Sequence, residues 1–149
     1  MVDYLVLKAI HVLGAVLLVG NVTVTGAWSV YLYRHWREGS IPFRPVARAI
    51  LWTDLVFTAG GGALLSVTGV WMIVQQGYPV LQTPWLLKGI GALVLSTLAW
   101  LVALLPDQVR LEKAEDPARI RRLFLRWSVI GWSSTALLFY GLWAMVTKG

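Results

Sequence analysis

Four ionisable residues lie inside long apolar stretches of the sequence: Lys8, His11, Asp54 and Lys88. Placing a charge at the centre of a bilayer costs roughly 2.5–3.5 kcal/mol, so such residues usually have a structural or chemical role. His11 has the most specific chemistry, because neutral imidazole is a good axial ligand for haem iron. Gly14 follows one helical turn later and leaves space for a flat macrocycle. His11 is therefore a candidate metal ligand in a haem b site, or else a neutral histidine that hydrogen bonds to a neighbouring helix.

A second axial ligand is harder to assign. His35, the only other histidine, lies at the opposite end of the first apolar stretch. The alternatives are a five-coordinate iron, a second His11 from another copy, or an amine or thioether ligand. Lys88 is predicted at about the same depth as His11, whereas Met72 is predicted to be shallower. Lys8 is more typical of a side chain that extends to the headgroups.

Asp54 lies in a different part of the membrane, about 12 Å inside the opposite boundary. A buried carboxyl group there is expected to pair with Arg48 or Arg126, to be protonated, or to relay protons. Asn21 and Thr58 are further buried polar candidates. The sequence contains no nucleophile–base pair, metal-ligand cluster or phosphate-binding loop, so it identifies no catalytic residue.

The elements that must position these residues follow from composition. Of 149 residues, 58% are hydrophobic and 13% are charged, and the charged share is about half that of a typical soluble domain. The apolar residues form four blocks, each long enough to cross about 30 Å of hydrocarbon as a helix: residues 4–33, 47–74, 85–105 and 123–146. We therefore predict an all-α membrane protein, with residues 1–149 forming a single antiparallel bundle of four transmembrane helices.

The distribution of charge predicts the orientation of this bundle. The net charge is +6, and most of the cations lie in the connections after the first and third blocks, whereas the second connection has no charge. The positive-inside rule places these basic connections in the cytoplasm and both termini outside, in the periplasm. We expect a multi-pass protein of the bacterial inner membrane whose basic connections contact anionic headgroups rather than nucleic acid. The absence of cysteine excludes c-type haem attachment and cysteine-ligated iron–sulfur clusters, but not b-type haem.

Small and polar residues recur at three- and four-residue spacing along each block. Such stripes let membrane helices approach closely and hydrogen bond to each other. They therefore predict the inward faces of the bundle, which include Gly14 and Asn21, Asp54 and Gly61, Gly89 and Ala92, and Gly131 and Gly141.

Several segments resemble known families. Leu7–Trp28, Asp54-Leu-Val-Phe-Thr58, Pro106-Asp-Gln-Val-Arg110 and Arg126-Trp127 resemble, in this order, a family of bacterial predicted integral membrane proteins called domain of unknown function 2269. Lys8-Ala-Ile-His11 is also distantly similar to the start of membrane-bound protoporphyrinogen oxidases and to copper-resistance membrane proteins. In the oxidases the matching histidine is implicated in binding b-type haem together with a later lysine. The resemblance therefore implies that His11 binds b-type haem and that Lys88 is the later lysine.

Three functions are compatible with the sequence. The leading hypothesis is a small protein that binds b-type haem for electron transfer or porphyrin-related redox chemistry. The second is a non-enzymatic scaffold or accessory subunit, in a homodimer or a larger membrane complex. The third is a transporter of a small solute or metal ion, with His11, Asp54 and Thr58 along the path.

Overall fold

Residues 2–149, which the computed structural model describes, form four long helices joined by short connections. Each helix is long and apolar enough to cross a membrane, and this part of the chain contains no strand. The predicted all-α fold class with four spans is thus confirmed. The helices are α1 (Tyr4–Arg37), α2 (Phe43–Gln76), α3 (Pro84–Lys113) and α4 (Pro117–Thr147), with a 3₁₀ turn at Val80–Gln82 between α2 and α3.

All four helices extend beyond the apolar blocks into polar residues, and several of their ends have capping groups. Asp3 caps the start of α1, where its Oδ1 accepts from the Leu5 amide at 2.7 Å. Gly77 ends α2 in the left-handed conformation, with φ 66°. Asp116 caps α4 by accepting from the amides of Ala118 and Arg119. These caps satisfy amide and carbonyl groups that a helix end leaves unpaired.

The two ends of the bundle differ in charge. One end carries the arginine-rich residues around the α1–α2 and α3–α4 connections, and we call it the basic end. The other, the terminal end, brings together both chain termini and the α2–α3 connection. There Gln75 Nε2 donates to the Val2 carbonyl at 3.1 Å, and the Lys148 ammonium lies 5.9 Å from the Trp85 ring centroid.

Glycine contacts join the helices in two close pairs. α1 packs along α2, and α3 packs along α4. At the first contact, a Cβ atom on Gly14 would lie 2.8 Å from the Leu65 backbone nitrogen, and one on Gly61 would lie 2.8 Å from the Leu18 nitrogen. At the second, a Cβ atom on Gly141 would lie 2.8 Å from the Ala92 Cβ. The small-residue faces predicted from the sequence are therefore the helix–helix contacts.

The two pairs touch along α1 and α4, but α2 and α3 pack together only near the basic end. The region where they separate contains a π-helical turn in each helix, at Asp54–Thr58 in α2 and at Trp100–Leu104 in α3. π-Turns are characteristic sites of helix bending. The turn in α3 directly precedes Pro106, whose ring would clash with the carbonyl four residues earlier in a regular α-helix.

A cluster of apolar side chains fills the basic end. It contains Leu32 of α1, Phe43 of α2, Leu104 and Leu111 of α3, and Ile120, Phe124 and Trp127 of α4. The ring of Tyr33 stacks on that of Phe124 with centroids 4.2 Å apart. Towards the terminal end, in contrast, α2 and α3 lack such a cluster between them within residues 2–149. The bundle is therefore tightly packed at one end and open between two helices further along.

The glycine contacts can be tested with two adjacent residues. We expect Gly61→Ala to lower the free energy of unfolding by about 1–3 kcal/mol, because its methyl group would overlap the α1 backbone. Gly60→Ala should be neutral or slightly stabilising, since a Cβ atom at Gly60 has no atom within 4 Å. The measurement is unfolding in detergent micelles by sodium dodecyl sulfate titration. Equal stability of the two variants would contradict the close approach.

Candidate functional site

Asp54 is the centre of a hydrogen-bond network that joins three helices. Its side chain is buried, with 4% of its surface exposed. From α1, Asn21 Nδ2 donates to Asp54 Oδ1 at 2.6 Å and to Thr58 Oγ1 at 3.0 Å. From α3, Gln108 Nε2 donates to Asp54 Oδ2. The Thr58 hydroxyl, one turn after Asp54 on α2, donates to Oδ1 at 3.4 Å.

Both carboxyl oxygens of Asp54 therefore accept hydrogen bonds from neutral amide and hydroxyl groups. The Thr25 hydroxyl also lies 3.3 Å from Oδ1, although it is closer to the Asn21 carbonyl oxygen at 2.8 Å. A carboxylate can accept about four hydrogen bonds, so this network satisfies a buried carboxylate without a cation. The expected ion pair of Asp54 with Arg48 or Arg126 is wrong.

Arg126 instead pairs with Asp107, which is fully buried. Arg126 Nε donates to Asp107 Oδ2 at 2.7 Å and its Nη2 donates to Oδ1. Arg110 Nη1 also donates to Oδ1, at 3.2 Å. This bidentate geometry is the strong form of an arginine–carboxylate pair. It attaches α3 to α4 at the basic end, next to the Asp54 network.

His11 lies nearer the terminal end and is oriented by α2. Its Nδ1 is 3.1 Å from the Thr68 Oγ1. The Thr68 hydroxyl also lies 2.6 Å from the Leu64 carbonyl oxygen. When it donates there, Nδ1 is the donor to Thr68, and a neutral ring then has its lone pair on Nε2. The ring edge lies over Gly69, where a Cβ atom would be 3.0 Å from His11 Cε1.

The interior of one chain does not fit a haem held by His11, Gly14 and Lys88. The face of α1 at Gly14 is covered by the α2 backbone. Lys88 is exposed and lies on α3, which has no extended backbone contact with α1 within residues 2–149. Lys8 is exposed as well. Among the described residues, no three His, Cys, Asp or Glu side chains form a metal cluster. The cofactor roles of His11, Gly14 and Lys88 stay predictions.

A cavity of about 310 Å³ lies between the two helix pairs. All four helices line it, with Val22 from α1, Ser66 from α2, Thr97 from α3 and Ser134 from α4 as examples, and Asp54 is part of its wall. The cavity therefore has an apolar body with a polar network beside it. His11 and Lys88 are not among the described residues that line the cavity.

The cavity is reached from the side, between α2 and α3. Ala63 and Ser66 of α2 and Thr97 of α3 line it and are also exposed on the outer surface. These side chains are small, and the backbones of α2 and α3 no longer pack closely at the position of Ser66 and Thr97. Neighbouring outward residues are large and apolar, such as Val67 (63% exposed) and Leu98 (52% exposed). The opening thus faces the lipid-exposed surface of the bundle.

Four apolar helices, closed by an internal polar network, define a multi-pass integral membrane protein. The chain matches the model of the predicted integral membrane protein family DUF2269 over residues 5–149 and belongs to that family. No curated protein and no solved structure matches the chain. Similarity to haem-binding families stays a prediction from the sequence.

The sequence indicated Asn21, Asp54 and Thr58, and the structure brings these three together. It gave no role to Gln108 or Asp107, although both lie in the Pro106–Arg110 segment that carries the family resemblance, because both follow the end of the third apolar block at residue 105. The structure continues α3 to Lys113, which turns both side chains into the bundle. The available signal was an acidic residue and an amide immediately after an apolar run.

Removal of the Asp54 carboxylate should strongly destabilise the fold. We expect Asp54→Ala to lower the free energy of unfolding by roughly 2–4 kcal/mol. The change leaves the Gln108 amide without its acceptor and takes one of the two acceptors from Asn21, which keeps Thr58. The double variant Asp54→Ala/Gln108→Ala should cost less than the sum of the two single changes, since it also removes one unpaired amide. Sodium dodecyl sulfate titration in micelles gives all three values. Strictly additive losses would contradict a direct bond between these side chains.

Proposed function

We propose that this protein binds a lipid-soluble ligand, which reaches the internal cavity from the bilayer through the opening between α2 and α3. The observation that carries this proposal is the cavity itself, whose volume of about 310 Å³ is at the lower end of the range for ligand sites, about 300–1,000 Å³. Membrane helices that only form a scaffold have no need of such a space, because packing between helices is their main source of stability.

The shape and lining of the cavity support a ligand with an apolar body and a polar group. The walls are mostly apolar, and their polar side chains are Asp54 with the neighbouring Thr25 and Thr58 and further hydroxyl groups on α2, α3 and α4. A ligand that enters sideways would place its polar group near this network and leave its apolar part towards the lipid. The π-turns at Asp54–Thr58 and Trp100–Leu104 also border the cavity, and π-turns are frequent at functional sites.

The membrane and the orientation are part of the same proposal. We infer that the protein resides in a bacterial inner membrane with the basic end in the cytoplasm and both termini in the periplasm. The support is the positive-inside rule and the exposure of Arg37, Arg44 and Arg119 at the basic end. A homodimer or a larger membrane complex is compatible with this function, since outward-facing apolar side chains can contact either lipid or a partner helix.

Filling the cavity tests the function directly. We expect Gly62→Leu to reduce the amount of co-purified lipid-soluble ligand at least fivefold, because Gly62 lines the cavity and a Cβ atom there has no atom within 4 Å. Gly60→Leu is the matched control, since Gly60 also has open space but is outside the cavity wall. Native mass spectrometry of protein extracted in mild detergent measures the bound species. A wild-type protein with no bound small molecule, or equal loading of both variants, would argue against the proposal.

A second candidate function is b-type haem binding between two copies, with His11 of each as an axial ligand. The observation that favours it is the contact of His11 Nδ1 with Thr68 Oγ1, which leaves Nε2 to bind a metal when Nδ1 carries the proton. Histidines that bind metals commonly have this arrangement, in which the other ring nitrogen is hydrogen bonded. A haem supplies redox chemistry when bound, and the chain would supply the ligand and its orientation.

This candidate predicts a visible spectrum. The purified wild-type protein should show a Soret band that shifts on reduction with dithionite, and His11→Ala should remove it. Thr68→Val keeps the side-chain shape but removes the acceptor from Nδ1, so haem affinity should fall about 10- to 100-fold. A colourless wild-type protein, or a His11→Ala variant with full haem content, would exclude His11 as the ligand.

A further inference from the structure

The charges around the cavity restrict the ligand that it can hold. Asp54 is the only acidic or basic side chain among the described residues that line it. An anionic ligand would therefore meet a carboxyl group and no cation. A cationic ligand would have to displace the amides of Asn21 and Gln108, which already satisfy Asp54. Because an unpaired charge is very costly in a low-dielectric site, a neutral ligand fits best.

The wall formed by α3 and α4 contains hydrogen-bond donors without partners. Trp100 Nε1, Trp127 Nε1 and Ser128 Oγ form no hydrogen bond with any described residue. All three residues line the cavity, although these three atoms are themselves buried behind its surface. Trp127 has 8% of its surface exposed. An indole N–H can only donate, so the missing partners must be acceptors. A neutral ligand with carbonyl oxygens supplies such acceptors without adding charge.

The same wall is rich in flat aromatic surface. Three indoles, those of Trp100, Trp127 and Trp132, line the cavity. The Trp132 ring also packs against α1, where a Cβ atom on Gly26 would lie 3.1 Å from its Cζ2. Indole faces favour stacked or edge-on contact with another planar ring. A ligand with a planar ring therefore gains more from this wall than a flexible acyl chain does.

We propose that the ligand of this cavity is a neutral membrane lipid with a planar, carbonyl-bearing ring, as in quinones. Its ring occupies the cavity and accepts from Trp100 and Ser128 after a rotation of these two side chains that turns their buried donor atoms towards it. Its hydrocarbon tail passes between Ser66 and Thr97 into the bilayer. This inference rests on the proposed binding function, because it specifies the chemistry of the ligand in that cavity.

The test compares two probes that differ in the carbonyl groups. Decylubiquinone is a short-chain quinone, and decylbenzene has a ring and a similar tail but no acceptor. Isothermal titration of the purified protein in detergent should show at least tenfold tighter binding of decylubiquinone. Ser128→Ala and Trp100→Phe each remove one donor and keep most of the shape, so each should weaken binding of the quinone about three- to tenfold. Ser128→Ala should leave the affinity for decylbenzene unchanged. Trp100→Phe also reduces aromatic contact, so it should weaken decylbenzene binding, but less than it weakens binding of the quinone.

The controls separate this inference from the proposed function. Trp71→Phe changes an exposed tryptophan that does not line the cavity, so it should leave both affinities unchanged. Equal affinity for the two probes, with both lost in Gly62→Leu, would overturn the carbonyl-bearing ligand but retain a lipid-binding cavity. Failure of wild-type protein to bind either probe would overturn both proposals. Ser128→Ala is the smaller change, and its effect decides the outcome if Trp100→Phe does not fold.

Discussion

The structure depends on one constraint, which is that a carboxylate within an apolar bundle must have its hydrogen bonds supplied by the protein. Asp54 meets this constraint with amides from two other helices, Asn21 on α1 and Gln108 on α3. Since lipid offers no donors, these bonds hold only when the three helices are in register. Asp107 with Arg126 provides a comparable link between α3 and α4. Together the two networks connect all four helices near the basic end.

This arrangement explains why the bundle can be open elsewhere. The glycine contacts make α1–α2 and α3–α4 two stable pairs, and the polar networks and the apolar cluster join the pairs at one end. Beyond the π-turns, the fold does not depend on contacts between α2 and α3. A cavity can therefore exist between the pairs without loss of the fold.

The helices and their inward faces could be predicted from the sequence, because length, apolarity and small-residue spacing directly reflect the needs of a helix in lipid. The same reasoning found Asp54 and Asn21, since a polar side chain in an apolar run must face inwards. It failed for the partner of Asp54, because a nearby arginine has the right charge and the sequence does not give the distance. It also missed Gln108, since the apolar block stops before the helix does. The cavity depends on where two helices separate, and no local pattern encodes that separation.

The sideways opening between α2 and α3 has a thermodynamic consequence. A molecule that enters from the hydrocarbon layer is first concentrated there by partitioning, so occupancy is set by its mole fraction among the surrounding lipids rather than by its concentration in water. Weak intrinsic affinity is then sufficient for saturation when the molecule is an abundant bilayer component. Dilution with additional phospholipid would empty the site even at constant total amount, and the protein would thus respond to the composition of the membrane around it.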